Sequence, residues 1–398
     1  MRFPNYNSAW QKNKFGNLLT LLKNNTLSRA ELNYENGKIK DIHYGDVLIK
    51  FNDFVLSDSK IIPYINDDRI PHNYADLLLK TGDLVIADTA EDYTVGKATE
   101  LIFNDQSLII SGLHTIPCRP INNIFGSKYL GYYINSPSFH NQLLPLIQGI
   151  KVSSISKSQI IDTFISYPKI NEQCKITEFL TLIDQRIDTQ SKIIEDLELF
   201  KKGIENQYFS CNKNNEYVIL GDVITQINNR NEKNIDFEVL SVSNKYGFIP
   251  QSEQFDDHEV ASVNKSNYKI VKQNDFAYNP ARINVGSIAM LRNNQVGIVS
   301  PMYICFRANN NRILSSYLDY FSHSNKFNNE VLKNLEGSVR LCLSFESLSK
   351  IKIHLPSLDN QYEIVKNLDL ISNKISIENK ILEKLKEQKK YLLSNMFI

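Results

Sequence analysis

The stretch LIDQRIDTQSKIIEDLELFKK, residues 182–202, returns near the end of the chain as LISNKISIENKILEKLKEQKK, residues 370–390. Each copy sits in a proline-free run of about 36 residues that follows PKINEQ (168–173) or PSLDNQ (356–361). In both, the proline stops the preceding strand, and Asn171 and Asp359 are read as the N-caps of a helix. Apolar residues recur at heptad spacing: Leu180, Ile183, Ile187, Ile194, Leu197 and Ile204 in the first run, and Leu368, Ile371, Ile375, Leu382, Leu385 and Leu392 in the second. Gln190 and its equivalent Glu378 interrupt the seam, as do Lys201 and Lys389. A narrow apolar seam on an otherwise charged helix finds no burial in a domain core, but it can be buried against another such helix. The nearest partner is the other copy in the same chain. Two modules related by approximate two-fold symmetry require the helices to run antiparallel, which would bring Gln190 and Glu378 together near the pseudo-axis.

The duplication extends beyond the helices. A shift of 188 residues aligns 128–209 with 316–397 without a gap, and roughly a quarter of the positions are identical, among them Tyr129/Tyr317, Gly149/Gly337, Pro168/Pro356 and Gln173/Gln361. Upstream, LLLKTGDLVIAD (77–88) is similar to YKIVKQNDFAYN (268–279), and SGLHTIPCR (111–119) to SPMYICFR (300–307). The repeating unit is a variable globular module followed by a long helix. Within the modules, GDVLIKF, GDLVIAD, SLIISGL, VGIVSPMYICF and IKIHLP read as strands, and 127–135 and 313–324 as helices. The expected fold is α+β: two mixed α/β modules at 1–168 and 214–356, separated by helical spacers at 169–213 and 357–398 that form an intramolecular antiparallel coiled coil with pseudo-two-fold symmetry. At 1.5 Å per residue such a helix spans roughly 54 Å, a ruler between two heads.

Composition adds exclusions. The chain has 398 residues, and its 42% hydrophobic and 22% charged content is that of an ordinary soluble protein with no apolar run of membrane-spanning length. Five scattered cysteines, with no zinc spacing among them, read as reduced thiols in the cytoplasm. A net charge of +1 weighs mildly against nucleic-acid binding without excluding it, since affinity depends on local patches. There is no Walker A loop, and the seven histidines are dispersed. YNPAR (278–282) lacks the second proline and the stacking aromatic of an amino-methyltransferase site, and the adjacent carboxylates of YINDDR (64–69) read as a solvated turn. No catalytic residue and no metal site is expected.

Two unlike heads at fixed separation suit a rod with two sites along it, and duplex DNA is such a rod. The chain resembles, over essentially its whole length, the specificity (S) subunit of type I restriction–modification systems. The resemblance rests on RFPNYNSAWQKNKFGN at the start, DIHYGDVLIKF (41–51), FAYNPARINVGSI (276–288), EGSVRLCLSFESL (336–348), the paired P-x-x-x-x-Q helix starts and the duplicated helices. It implies two target-recognition domains, each reading one half of an asymmetric bipartite target on double-stranded DNA. The helices would set the unread spacer and dock two methyltransferase (modification) subunits of an adenine-specific complex, which motor–nuclease (restriction) subunits complete. The chain itself would hold no cofactor; S-adenosylmethionine, ATP and Mg would sit on the partners. The competing reading is a coiled-coil scaffold or dimeric interaction protein with no DNA role.

Base and phosphate contacts need Arg, Lys, Asn, Gln or His within reach of the duplex. In the second module the candidates are Arg282, Asn284, Arg340, Arg230 and Lys245. In the first they are His43, Lys50, Arg69, His72, Lys97 and Lys151. Each could equally be a solvated loop charge, and His43 a buried, hydrogen-bonded histidine. Arg340 has no arginine counterpart in the first module.

Overall fold

A computed structural model describes residues 2–149, 151–209, 217–254, 264–293, 295–337 and 341–397. The chain divides into two compact units, one made of Met1–Gln190 with Ile381–Ile398, the other of Ser191–Lys380.

In the first unit a five-stranded sheet runs in the order Leu19–Leu21, Thr115–Pro120, Leu84–Ala87, Ala98–Ile102, Phe54–Leu56, antiparallel except for the last pair. A four-stranded sheet, Leu108–Ser111, Ile39–Ile42, Tyr64–Ile65 and Leu32–Asn33, begins with a parallel pair. The strands Gln11–Lys14 and Phe164–Tyr167 pair antiparallel just before the long helix, closing the module on itself.

The second unit repeats the plan. One sheet runs Ile224–Ile227, Ile304–Ala308, Asp275–Tyr278, Ile288–Met290, and another runs Gly247–Pro250, Glu238–Ser243, Gly297–Val299, Lys269–Val271. Tyr217–Ile219 closes on Lys352–His354. Cys118 and Cys305, matched by sequence, are both buried on the second strand of their sheets, but one residue out of register: Cys305 opposes Ala277, whereas Cys118 opposes Leu84 as Phe306 opposes Phe276. Next to them a guanidinium makes a two-pronged bond to a buried carboxylate: Arg119 to Asp83 at 2.8 and 2.6 Å, and Arg307 to Asp275 at 2.6 and 2.9 Å. These arginines hold a strand pair together.

The long helices run Ile170–Phe209 and Leu358–Met396, about 60 Å each at helical rise. They start earlier than the sequence suggested. Asn171 and Asp359 lie inside the first turn, and the cap positions fall at Lys169 and Ser357, whose carbonyls accept the first amide bonds. The expected strand GDVLIKF is also different: Tyr44–Ile49 is a short helix, capped by the His43 ring and carrying an Asp46–Lys50 ion pair one turn apart. Of its β-branched residues, Val47 packs into the core and Ile49 is exposed.

The seam residues Leu180, Ile183, Ile194, Leu368 and Leu385 are buried, and Ile187, Leu197, Ile371, Ile375 and Leu382 are half-buried. Gln190 and Glu378 are buried at their own seam positions, 8% and 6% exposed, whereas the off-seam Leu182 and Leu370 are 58% and 61% exposed. Polar residues therefore continue the seam in place of breaking it. In the first unit Leu180 and Ile183 share a core with Leu392, Met396 and Phe397; in the second, Ile204 packs against the core that includes Ile364, Val365 and Leu368. Each unit thus holds the start of one helix beside the end of the other, which is the exchange that antiparallel pairing gives.

The ends of the helices are anchored alike. Phe397 packs 5.7 and 5.6 Å from the Tyr129 and Tyr133 rings, and Phe209 packs 5.4 and 5.6 Å from Tyr317 and Phe321. The starts are held by glutamines with no exposed surface. Gln173 donates to the Ile124 and Pro168 carbonyls and accepts from the Gly126 amide; Gln361 donates to those of Arg312 and Pro356 and accepts from Leu314.

Candidate nucleic-acid interface

The first module gathers three of its candidate residues around the Tyr44–Ile49 helix. His43 is 7% exposed; its Nδ1 accepts from the Gly45 amide at 3.2 Å, and burial lowers its pKa. The ring nitrogen is committed to capping the helix. Lys50, at the other end, lies 3.1 Å from the Asp46 carboxylate and also donates to the Tyr34 hydroxyl. Lys97 is half-buried, donates to the Leu48 carbonyl at 2.8 Å, and has its pKa lowered by burial. These bonds turn His43 and Lys97 toward the protein and leave Lys50 at the surface.

Arg69 ends the short turn Asp67–Arg69, with its side chain mostly exposed and Asp68 at 3.3 Å. His72 and Lys151 are exposed, the latter two residues beyond Gly149, whose φ of +105° suits only glycine. A Cβ at Gly149 would also lie 1.9 Å from the Val152 carbonyl oxygen.

In the second module Arg282 and Asn284 are exposed on the turn that includes Ile283–Val285. Gly286, in the same turn, lies against Asn244, and Ser287 donates to the Val242 carbonyl at 3.1 Å. The hairpin bearing Lys245 is thereby brought beside Arg282 and Asn284. Lys245 lies over the Tyr246 ring at 5.0 Å, and both are exposed. Leu343 donates to the Pro280 carbonyl, which sets the bridged residues Glu336 and Cys342 near the same turn. Arg340 lies outside the described residues. Arg230 is separate from this group; it is exposed and donates to Asn267 at 3.3 Å.

Sequence reasoning missed Arg29 and Tyr34. They lie in an irregular stretch with no periodicity, and only the pairing of Leu32–Asn33 with Tyr64–Ile65 settles that stretch in the fold. Asp46, 2% exposed, accepts from Arg29, and the Tyr34 ring has Arg29 at 5.1 Å and Lys50 at 4.4 Å from its centroid. The sequence also gave no hint of the junction between helix and module in the first unit. There Lys389 lies 2.6 Å from both Asp53 and Asp184 and over the Tyr132 ring, and Tyr132 donates to Asp184 at 2.6 Å. Burial works against the charge, but the two carboxylates hold the Lys389 ammonium above its ordinary pKa. In the second unit Lys201 sits likewise over Tyr320, whose hydroxyl donates to Asp369 at 2.6 Å.

Among the described residues there is no cluster of three or more metal-type ligands, and no helix is long and apolar enough to cross a membrane. The family described as type I restriction modification DNA specificity domain matches the chain twice, over residues 7–199 and 212–387. A putative type I restriction enzyme MjaX specificity subunit from Methanocaldococcus jannaschii is 23% identical over 313 residues, covering 72% of this chain and 71% of that protein. The fold is similar to the type I restriction–modification S subunit from M. genitalium, with a TM-score of 0.54, 15% identity, and coverage of 100% of this chain and 97% of that one. It is also similar to a chain from a structural study of complex assembly and conformational transition in the type I R-M system, with a TM-score of 0.62, 14% identity, and coverage of 98% and 97%. With two copies of the domain spanning nearly all of its length, the chain belongs to the type I restriction–modification DNA specificity family.

Proposed function

We propose that the chain is the non-catalytic reading subunit of a type I restriction–modification assembly, with each module reading one half of an asymmetric bipartite target on double-stranded DNA. The paired helices set the unread spacer and dock two methyltransferase subunits, and motor–nuclease subunits complete the complex. S-adenosylmethionine, ATP and Mg belong to those partners. The observation that carries this reading is the recurrence of one topology and one set of anchors under two different surfaces. The Arg–Asp pair, the glutamine at the helix start and the terminal phenylalanine are repeated, whereas the exposed Arg282–Asn284 turn of one module and the Lys50 helix of the other are unlike. A repeated frame with divergent surfaces suits two heads reading different bases.

The test is to sequence methylated bases in cells that carry this chain and its methyltransferase. Two unlike half-sites separated by a constant unread spacer are expected. A single uninterrupted site, or the same modification pattern without this chain, overturns the reading.

A further inference from the structure

The buried Asp46 of the first module holds two cations at the surface. Its carboxylate accepts from Arg29 through Nη1 and from Lys50 at 3.1 Å, while the Tyr34 hydroxyl donates to it at 3.3 Å and accepts from both Arg29 Nη2 and Lys50. The two cations flank one aromatic ring, and their side chains stay 42% and 38% exposed over a carboxylate that is 2% exposed. One negative and two positive charges leave the cluster at +1, facing solvent. Every group is bonded to another, so the cations are ordered before any ligand arrives.

The geometry also selects the ligand. A guanidinium reads guanine by presenting two parallel N–H groups, but both terminal nitrogens of Arg29 already donate within the cluster. Lys50 has spent two of its three protons in the same way. What remains is two adjacent positive charges, with one N–H of Lys50 and three of Arg29, one on each nitrogen, still free, which suits phosphate oxygens.

We infer that Arg29 and Lys50, set in place by Asp46 and Tyr34, grip a backbone phosphate of duplex DNA and fix the register of the first module. The inference rests on the DNA-reading role proposed above. Phosphate contacts carry no sequence information, so this pair contributes affinity and leaves the half-site to other residues.

The test measures binding of the assembled methyltransferase complex to a duplex carrying its own methylated target sequence, across salt concentrations, with Arg29→Ala and Lys50→Ala separately. Each single change leaves Asp46 one cation and so spares the fold. Binding weakens several-fold at low salt, and the dependence of log affinity on log salt becomes shallower by about 0.9. The deficit therefore shrinks roughly threefold between about 50 and 200 mM salt, while the methylated sequence is unchanged. Should an alanine variant fail to assemble, Lys50→Gln keeps a hydrogen-bonding group beside Asp46 and gives the same reading. Unaltered affinity and slope overturn the inference, as does a changed methylated sequence, which would make the pair a base reader. If the wild-type complex itself shows no preference for its target, the underlying DNA role has failed; if it does and the variants match it, only this site has.

Discussion

Asp41 shows at the scale of a single residue how the first module constrains pH. It has no exposed surface and accepts from Asn25 Nδ2 at 2.5 Å through one oxygen. Its other oxygen has no hydrogen-bond partner among the described residues, and a Cβ on Gly112 would lie 2.2 Å from it. Burial pushes this carboxyl up to about 7; Asn25 opposes the shift, the nearby Asp46 carboxylate adds to it, and Arg29 opposes it more weakly. The folded chain then binds a proton that the unfolded chain releases near the ordinary carboxylate value. The Asp41 contribution is fully present below about pH 4 and is lost as pH rises through about 7. Asp41→Asn, which mimics the protonated form, should flatten that dependence. Urea denaturation of wild type and variant should show the wild type losing about 2 kcal/mol relative to the variant between about pH 5 and pH 7. Parallel curves would mean that the carboxyl ionises normally in the fold.

At the scale of elements, the junction of each long helix with its module rests on one glutamine. Gln173 and Gln361, themselves without exposed surface, each satisfy two carbonyls and one amide. Replacing either with alanine strands those groups, at a cost of about 3 kcal/mol. Urea denaturation should show the loss, and a change below about 1 kcal/mol would mean that the backbone re-pairs without the side chain. The P-x-x-x-x-Q spacing made these glutamines visible as a repeated motif, yet their role depends on a loop some 49 residues away in sequence. The helices themselves, the strands at 84–87, 108–111, 297–299 and 352–354 and the seam were legible because each has its own period. The run at 44–49 was misread because its β-branched residues outweighed a cap made by a histidine, a residue seldom read as one. Lys389 looked like a break in the seam because Asp53, one of its two partners, lies 336 residues away in the sequence. Lys50 could be picked because it flanks the ordered run YGDVLI, whereas Arg29 and Tyr34 lie in a stretch without periodicity.

For the whole molecule, the duplication makes helix length a property that can be changed without touching either module. Within the first unit Asp184 meets Lys389, and within the second Tyr208 meets Asn367 at 3.2 Å. Both contacts fit one antiparallel register, in which the partner number falls as the first helix advances. A heptad inserted in each helix between these contacts keeps every seam position on the seam and adds about 10 Å to the pair. If the helices set the spacer, methylated-base sequencing should find the same two half-sites with the unread interval longer by roughly three base pairs at 3.4 Å each. Insertion into only one helix shifts one seam against the other and should abolish modification, not lengthen the interval. A double insertion that leaves the spacer as it was would assign spacing to something other than the helices, while leaving the two reading heads intact.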